Sequence, residues 1–269
     1  MVATILLLIF LTGFYPLWSA LRGNRKTTLF HTIIWAFVAW IAWVGVFFLE
    51  VLHEDGAPIL ARYLALGLVG CASVAVFGAR RPGVVAWNFV VGGLLLVLLF
   101  LWLEGRLAED DRILQRVRTV FLASTLAIGV LNYLPTRFAP AALMLALGCG
   151  FEILLLTASE STRTRLESSR PIAQLALASV PWIGYIRMRW HAMAPSEFDR
   201  AWLDFRDRFG LVWAQRLREQ FNNSAAHANW PVILRWSGLR LIPGTQGPDR
   251  EDQAAMLANL RALTKRFEA

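Results

Sequence analysis

Glu152 is the one carboxylate set well inside an apolar run, GCGFEILLL. A charge held among hydrocarbon is costly, so such a group pairs, loses its charge or faces a cavity. Two chemistries follow: a proton or cation site of a transporter, or a structural ion pair. Arg118 is the cation that the spacing offers. It opens the fifth apolar segment, and residues 118 and 152 lie some 15–19 positions either side of the middle of the turn at 134–139. At ~1.5 Å per residue their depths differ by only a few ångström. The spacing therefore predicts a structural Glu152–Arg118 pair, ahead of transport or of a carboxylate reaching to the outer surface. A transport site would draw on Asn132 and Ser73 as further polar groups.

Trp40, Trp43 and Phe47 fall at i, i+3 and i+7 and so share one face of the second apolar segment, while Trp35 lies on another side. The two tryptophans sit near the middle of that segment, whereas interfacial aromatic belts sit at the ends. They read as an aromatic packing seam; the sharper alternative is a wall for a flat ligand such as haem or a quinone. His31 and His53 flank the segment, but 22 residues of helix separate them by ~33 Å, too far to share a metal. A transmembrane haem needs axial ligands from facing helices, and no other apolar segment carries a histidine. His191 and His227 lack partners at zinc-ligand spacing. There is no P-loop, no GxGxxG after a strand, no GxSxG and no CxxC. The acidic loop Glu104, Glu109, Asp110 and Asp111 reads as solvated rather than as a lipid-processing centre. Cys71 and Cys149 both lie in apolar runs and read as small packing residues. The sequence thus predicts no catalytic residue, no cofactor and no metal.

The elements that must position these residues follow from composition. Of 269 residues 57% are hydrophobic and 17% charged, with mean hydropathy +0.49, against ~45–50% and ~25% in soluble domains. Disorder and a disulfide scaffold are excluded by the apolar content and the two cysteines. A spanning helix needs ~20 apolar residues, and six segments qualify or nearly so: 2–21, 29–49, 58–78, 84–103, about 119–134 and about 139–156. Gly67, Cys71, Ala75 and Ala79 recur every fourth position in the third, and Ala142, Ala146 and Gly150 in the sixth. Such ladders let helix backbones approach closely in lipid. The fold class expected is an all-α polytopic membrane bundle with a small C-terminal α+β domain. Residues 1–157 form the bundle, 158–193 a linker with a marginal seventh segment at 171–186, and 194–269 the C-terminal domain.

Loops one, three and five carry Arg22, Arg25, Lys26, Arg80, Arg81 and Arg137, loop two carries no basic residue, and loop four is mixed, with Arg106, Arg112, Arg116 and Arg118. The positive-inside rule places these basic loops in the cytoplasm and the N-terminus outside. Six spans would leave the basic tail outside; a seventh, interrupted by Gln174 and Pro181 and ending at Arg187 and Arg189, returns it to the cytoplasm. In the tail, Ser196 caps a helix with the stripe Phe198, Trp202, Phe205 and Phe209, broken or kinked at Gly210 and resumed at Trp213, Leu217 and Phe221. Residues 232–242 have strand character, and Asp249 caps a last helix with the stripe Met256, Leu260, Leu263 and Phe267. Some 75 residues make a marginal core, so this tail needs the membrane part or a partner. The net charge of +8 fits loop topology and lipid headgroups better than nucleic acid. The reading is an integral protein of a bacterial inner membrane, in contact with the lipid bilayer. It serves as a non-enzymatic scaffold or accessory subunit that presents its tail to a protein partner or a second copy. The alternative is a small-solute or ion permease using Glu152.

Overall fold

The computed structural model describes residues 2–53, 57–80, 82–107, 112–190 and 196–268. Glu54, Asp55, Arg81, Glu109, Asp110, Asp111 and His191 lie outside them. Among the described residues six helical stretches are long and apolar enough to cross a membrane: Val2–Gly23, Leu29–Leu52, Ile59–Gly78, Val85–Glu104, Ile113–Tyr133 and Ala139–Thr157. The first is two helices, α1 (Val2–Thr12) and α2 (Phe14–Gly23). The break has local causes. Pro16 brings no N–H, and the Gly13 N–H turns back to the Phe10 carbonyl at 3.0 Å. The Trp40 ring occupies the space a Cβ on Gly13 would need. Trp40 Nε1 also donates to the Phe10 carbonyl at 2.9 Å, fastening the break to α3 (Leu29–Leu52).

Helix α4 (Ile59–Ala75), extended by a 3-10 turn over Val76–Gly78, is the centre of the bundle; α3, α5 (Val84–Leu107), α6 (Arg112–Tyr133) and α7 (Ala139–Thr157) all pack on it. Two glycines set its approach to α6. A Cβ on Gly70 would lie 2.6 Å from Thr125 Oγ1, and one on Gly129 would strike Ser73. Of the expected ladder on α4, Cys71, Ala75 and Ala79 are buried and Gly67 faces Leu98. The ladder on α7 differs from expectation. A Cβ on Gly150 would meet nothing within 4 Å, and the close approach is Gly148, where it would lie 2.9 Å from Leu177 Cβ and 3.0 Å from the Ala173 carbonyl. Helix α6 also begins at Arg112 rather than near residue 119, because a helix can run on through polar turns that a hydropathy window excludes.

After α8 (Glu160–Glu167), helix α9 (Arg170–Arg189) runs back along α7, with Glu152 level with Arg170 and Gly148 level with Ala173 and Leu177. Its far half packs on α2 and the end of α1: the Tyr15 and Tyr185 hydroxyls lie 3.3 Å apart, and Trp182 Nε1 donates to Thr12 Oγ1, the last residue of α1, at 3.2 Å. It is less apolar than the six stretches above, yet Ala173, Gln174, Leu177, Ala178 and Pro181 are buried.

The tail comprises α10 (Glu197–His227), β1 (Val232–Arg235), β2 (Gly238–Leu241) and α11 (Arg250–Thr264), closed by a 3-10 turn over Lys265–Phe267. Ser196 Oγ accepts the Asp199 N–H at 3.0 Å, and Asp249 Oδ1 accepts the Asp252 N–H at 2.8 Å, as N-caps. Helix α10 is kinked at Gly210, whose φ of 77° and ψ of −170° suit glycine. The strands form an antiparallel hairpin with Val232 opposite Leu241. Its inner face, with Val232 and Leu234, joins the stripes of α10 and α11.

Candidate functional site

Two clusters of polar side chains mark the two ends of the bundle. At the end away from the tail, Glu50 closes α3, Arg62 lies in the first turn of α4, Glu152 lies late in α7 and Arg170 opens α9. Arg170 Nε sits 3.1 Å from Glu152 Oε1, and its Nη2 sits 2.9 Å from Glu50 Oε1. Arg62 Nη2 also reaches Glu50 Oε1, at 3.1 Å. Side-chain exposures of 1% for Glu152, 11% for Glu50, 13% for Arg170 and 8% for Arg62 show that water screens little of this cluster. Two guanidinium groups balance two carboxylates, so the ensemble ties α3, α4, α7 and α9 together at no net charge.

The partner of Glu152 is thus Arg170 and not Arg118. The height inferred for Arg118 holds: it lines a small pocket with Tyr63, Ile153 and Thr157. The face does not. Glu152 and Gly148, four residues apart, both look toward α9, whereas Arg118 lies over the Tyr63 ring, 5.6 Å from its centroid. Glu50, Arg62 and Arg170 were not singled out in the sequence. For Arg170 the spacing argument was weaker, since Glu152 lies five residues before the end of α7 whereas Arg170 is the first residue of α9, with α8 between them. Asn132 and Ser73 do not join Glu152. Ser73 Oγ bonds its own helix at the Val69 carbonyl, 2.9 Å away, and Asn132 holds the tail.

That contact lies at the opposite end. Asn132, 2% exposed, places Nδ2 3.4 Å from the Phe209 carbonyl, and its Oδ1 accepts the Val212 N–H at 3.1 Å, bracketing the Gly210 kink. Around it the Tyr133 hydroxyl donates to the Arg208 carbonyl at 3.1 Å and Trp236 Nε1 to the Pro135 carbonyl at 2.9 Å. Arg137 faces Asp204 at 3.3 Å and Asp207 at 3.6 Å. Trp213 Nε1 donates to the Val76 carbonyl at 3.0 Å, and the Thr28 N–H to the Phe267 carbonyl at 3.0 Å. Loops one, three and five therefore all meet the tail, and Leu29, Val76 and Ala79 are buried within the tail's own hydrophobic cluster.

The aromatic seam is present as contact: Phe10 stacks on Trp40 at 4.7 Å between centroids and lies 4.3 Å from Phe47, with Trp43 6.2 Å from Phe47. Trp40 and Trp43 have a second role. They line a cavity of about 360 Å³ inside the bundle, bounded by α2, α3, α4, α6, α7 and α9. It runs from the level of Trp43 and Leu177 to that of Asn24, Tyr133 and Arg208 under the tail. Trp43 Nε1 and Thr32 Oγ1, on two lining residues, are buried without a hydrogen-bond partner. Glu152 is not among the lining residues. No family model, curated protein or solved structure matches the chain. Among the described residues no group of three or more His, Cys, Asp and Glu side chains is arranged to hold a metal ion. Cys71 and Cys149 are buried and free, on different helices.

Proposed function

We propose that this chain is a non-enzymatic integral membrane scaffold of seven passes, α9 being the seventh, which holds its tail in one fixed orientation on the cytoplasmic face for a protein partner. One observation carries the reading: the tail's core is completed by Leu29, Val76 and Ala79 from the bundle. A layer built this way is neither a tethered domain nor free to turn. A tail held in one orientation presents the same surface to a partner at every encounter, which is what a scaffold needs. The basic residues Arg22, Arg25, Lys26, Arg80 and Arg137, with Arg187 and Arg189 at the end of α9, belong to the end that carries the tail, and set against Arg106, Arg112, Arg116, Arg118, Arg163 and Arg165 at the other end they favour the cytoplasm for the tail's side. A permease working through Glu152 draws less support, because its carboxylate is compensated by Arg170 and lies away from the large cavity.

The test is purification of the tagged chain from its native membrane in mild detergent. The scaffold reading predicts a stoichiometric protein partner, or a defined homo-oligomer, that is lost when residues 196–269 are deleted while the bundle still inserts. A monodisperse monomer with no partner contradicts it.

A further inference from the structure

We infer that the apolar cavity inside the bundle is a binding site for one long hydrocarbon chain of an anionic lipid, with the headgroup at the Arg208 end. The proposal does not depend on the scaffold reading.

Size and shape come first. At about 360 Å³ the cavity has more than twice the ~150 Å³ in which a dry, apolar-lined void houses benzene. It is open on one side rather than sealed, so a chain can enter it, and left unfilled its apolar walls forfeit dispersion contacts. Its walls are nearly all hydrocarbon, as with Ala36, Ala39, Val69, Leu145 and Leu177, and offer a chain of waters few partners. Along α3 the lining extends from Leu29 to Trp43, about 21 Å at ~1.5 Å per residue. One leaflet of a bilayer is about 15 Å of hydrocarbon, half of ~30 Å. The cavity is thus long enough to take one extended chain.

Charge then selects the headgroup. Among the described residues that line the cavity Arg208 alone is charged, and its side chain is 44% exposed. Asp204 lies 2.8 Å from it, but Asp204 and Asp207 together face Arg137, Arg206 and Arg208, which leaves this group with one positive charge in excess. Arg25 and Lys26 follow Asn24, another lining residue, and are exposed. An anion at this end meets a basic surface with no carboxylate in the cavity to repel it. A neutral or zwitterionic headgroup gains less.

The experiment is native mass spectrometry of the full chain, as purified and after exchange into mixed micelles containing equal phosphatidylglycerol and phosphatidylcholine. The expected result is one retained anionic lipid per chain, favoured about fivefold over phosphatidylcholine, the effect of one basic side chain near a headgroup. The adduct mass distinguishes a phospholipid with one chain inserted from a free fatty acid; either meets the proposal. Ala36→Phe, which fills the cavity from α3, should abolish retention, and Ala142→Phe does the same from the opposite wall should the first variant fail to fold. Arg208→Gln should keep a bound chain and lower the preference, and Arg208→Gln combined with Arg25→Gln and Lys26→Gln should bring it close to one. Equal retention by wild type and a folded cavity-filling variant means that the lipid is merely annular and overturns the proposal. So does a wild-type chain that retains no lipid, or one that binds phosphatidylcholine equally well.

Discussion

Replacing Arg170 by methionine should be the most damaging single change in the bundle. The substitution keeps a long side chain at the start of α9 but strips the cation from two carboxylates. Glu50 retains Arg62 at 3.1 Å, whereas Glu152, 1% exposed, retains nothing. Breaking a buried ion pair on one side costs about 3–5 kcal/mol, mostly as the penalty of the stranded charge. For a chain of this size that is a fall in melting temperature on the order of 10 °C. Glu152→Gln should cost less, about 1–3 kcal/mol, because Arg170 keeps Glu50 at 2.9 Å. Combining Arg170→Met with Glu152→Gln removes both charges and should recover much of the loss, giving a coupling of about 1–3 kcal/mol. Arg118→Ala forfeits a cation–π contact with Tyr63, about 0.5–1 kcal/mol, and should add to Glu152→Gln within about 0.5 kcal/mol. Thermal unfolding in detergent of the three single and two double variants reads all of this. Coupling of Glu152 to Arg118 with none to Arg170 would refute the reasoning.

Two further predictions concern close contacts. Gly210→Ala should destabilise the tail by more than the ~1–3 kcal/mol of a strained backbone position, since the added methyl also meets Asn132. Asn132→Ala should cost about 1–3 kcal/mol for two lost partners at the kink, and hydrogen exchange at the Val212 amide, which donates to Asn132, should quicken in both. Gly148→Leu should part α7 from α9 and lower the melting temperature, while Gly150→Ala, with open space at its Cβ, should be neutral or raise stability by up to about 1 kcal/mol.

What could be read in the sequence was local or one-dimensional. The caps at Ser196 and Asp249 and the kink at Gly210 depend on a few neighbouring residues, and the structure has all three. The apolar segments follow from hydropathy summed along the chain. Depth along a helix is also one-dimensional, which is why Arg118 lies at the height inferred for it. Which neighbour a face turns to is not. Glu152 pairs with Arg170 because α7 presents Gly148 and Glu152 to α9, and that depends on the lateral order of the helices. The cavity was illegible for the same reason: small residues from several helices, Ala36, Ala72, Ala142 and Gly184 among them, leave a void only once the helices are in place.

The central claim is that α9 is a further pass and that the tail sits on the basic loops, so that loop one and α10 share one side of the membrane. Cys71 and Cys149 are buried and should remain silent to a thiol reagent, so single cysteines can be placed at Arg25 and Ser224, both outside the buried core. An impermeant reagent applied to intact cells should label neither, and applied to inverted vesicles it should label both. Labelling of Arg25→Cys and Ser224→Cys from opposite sides would contradict the account.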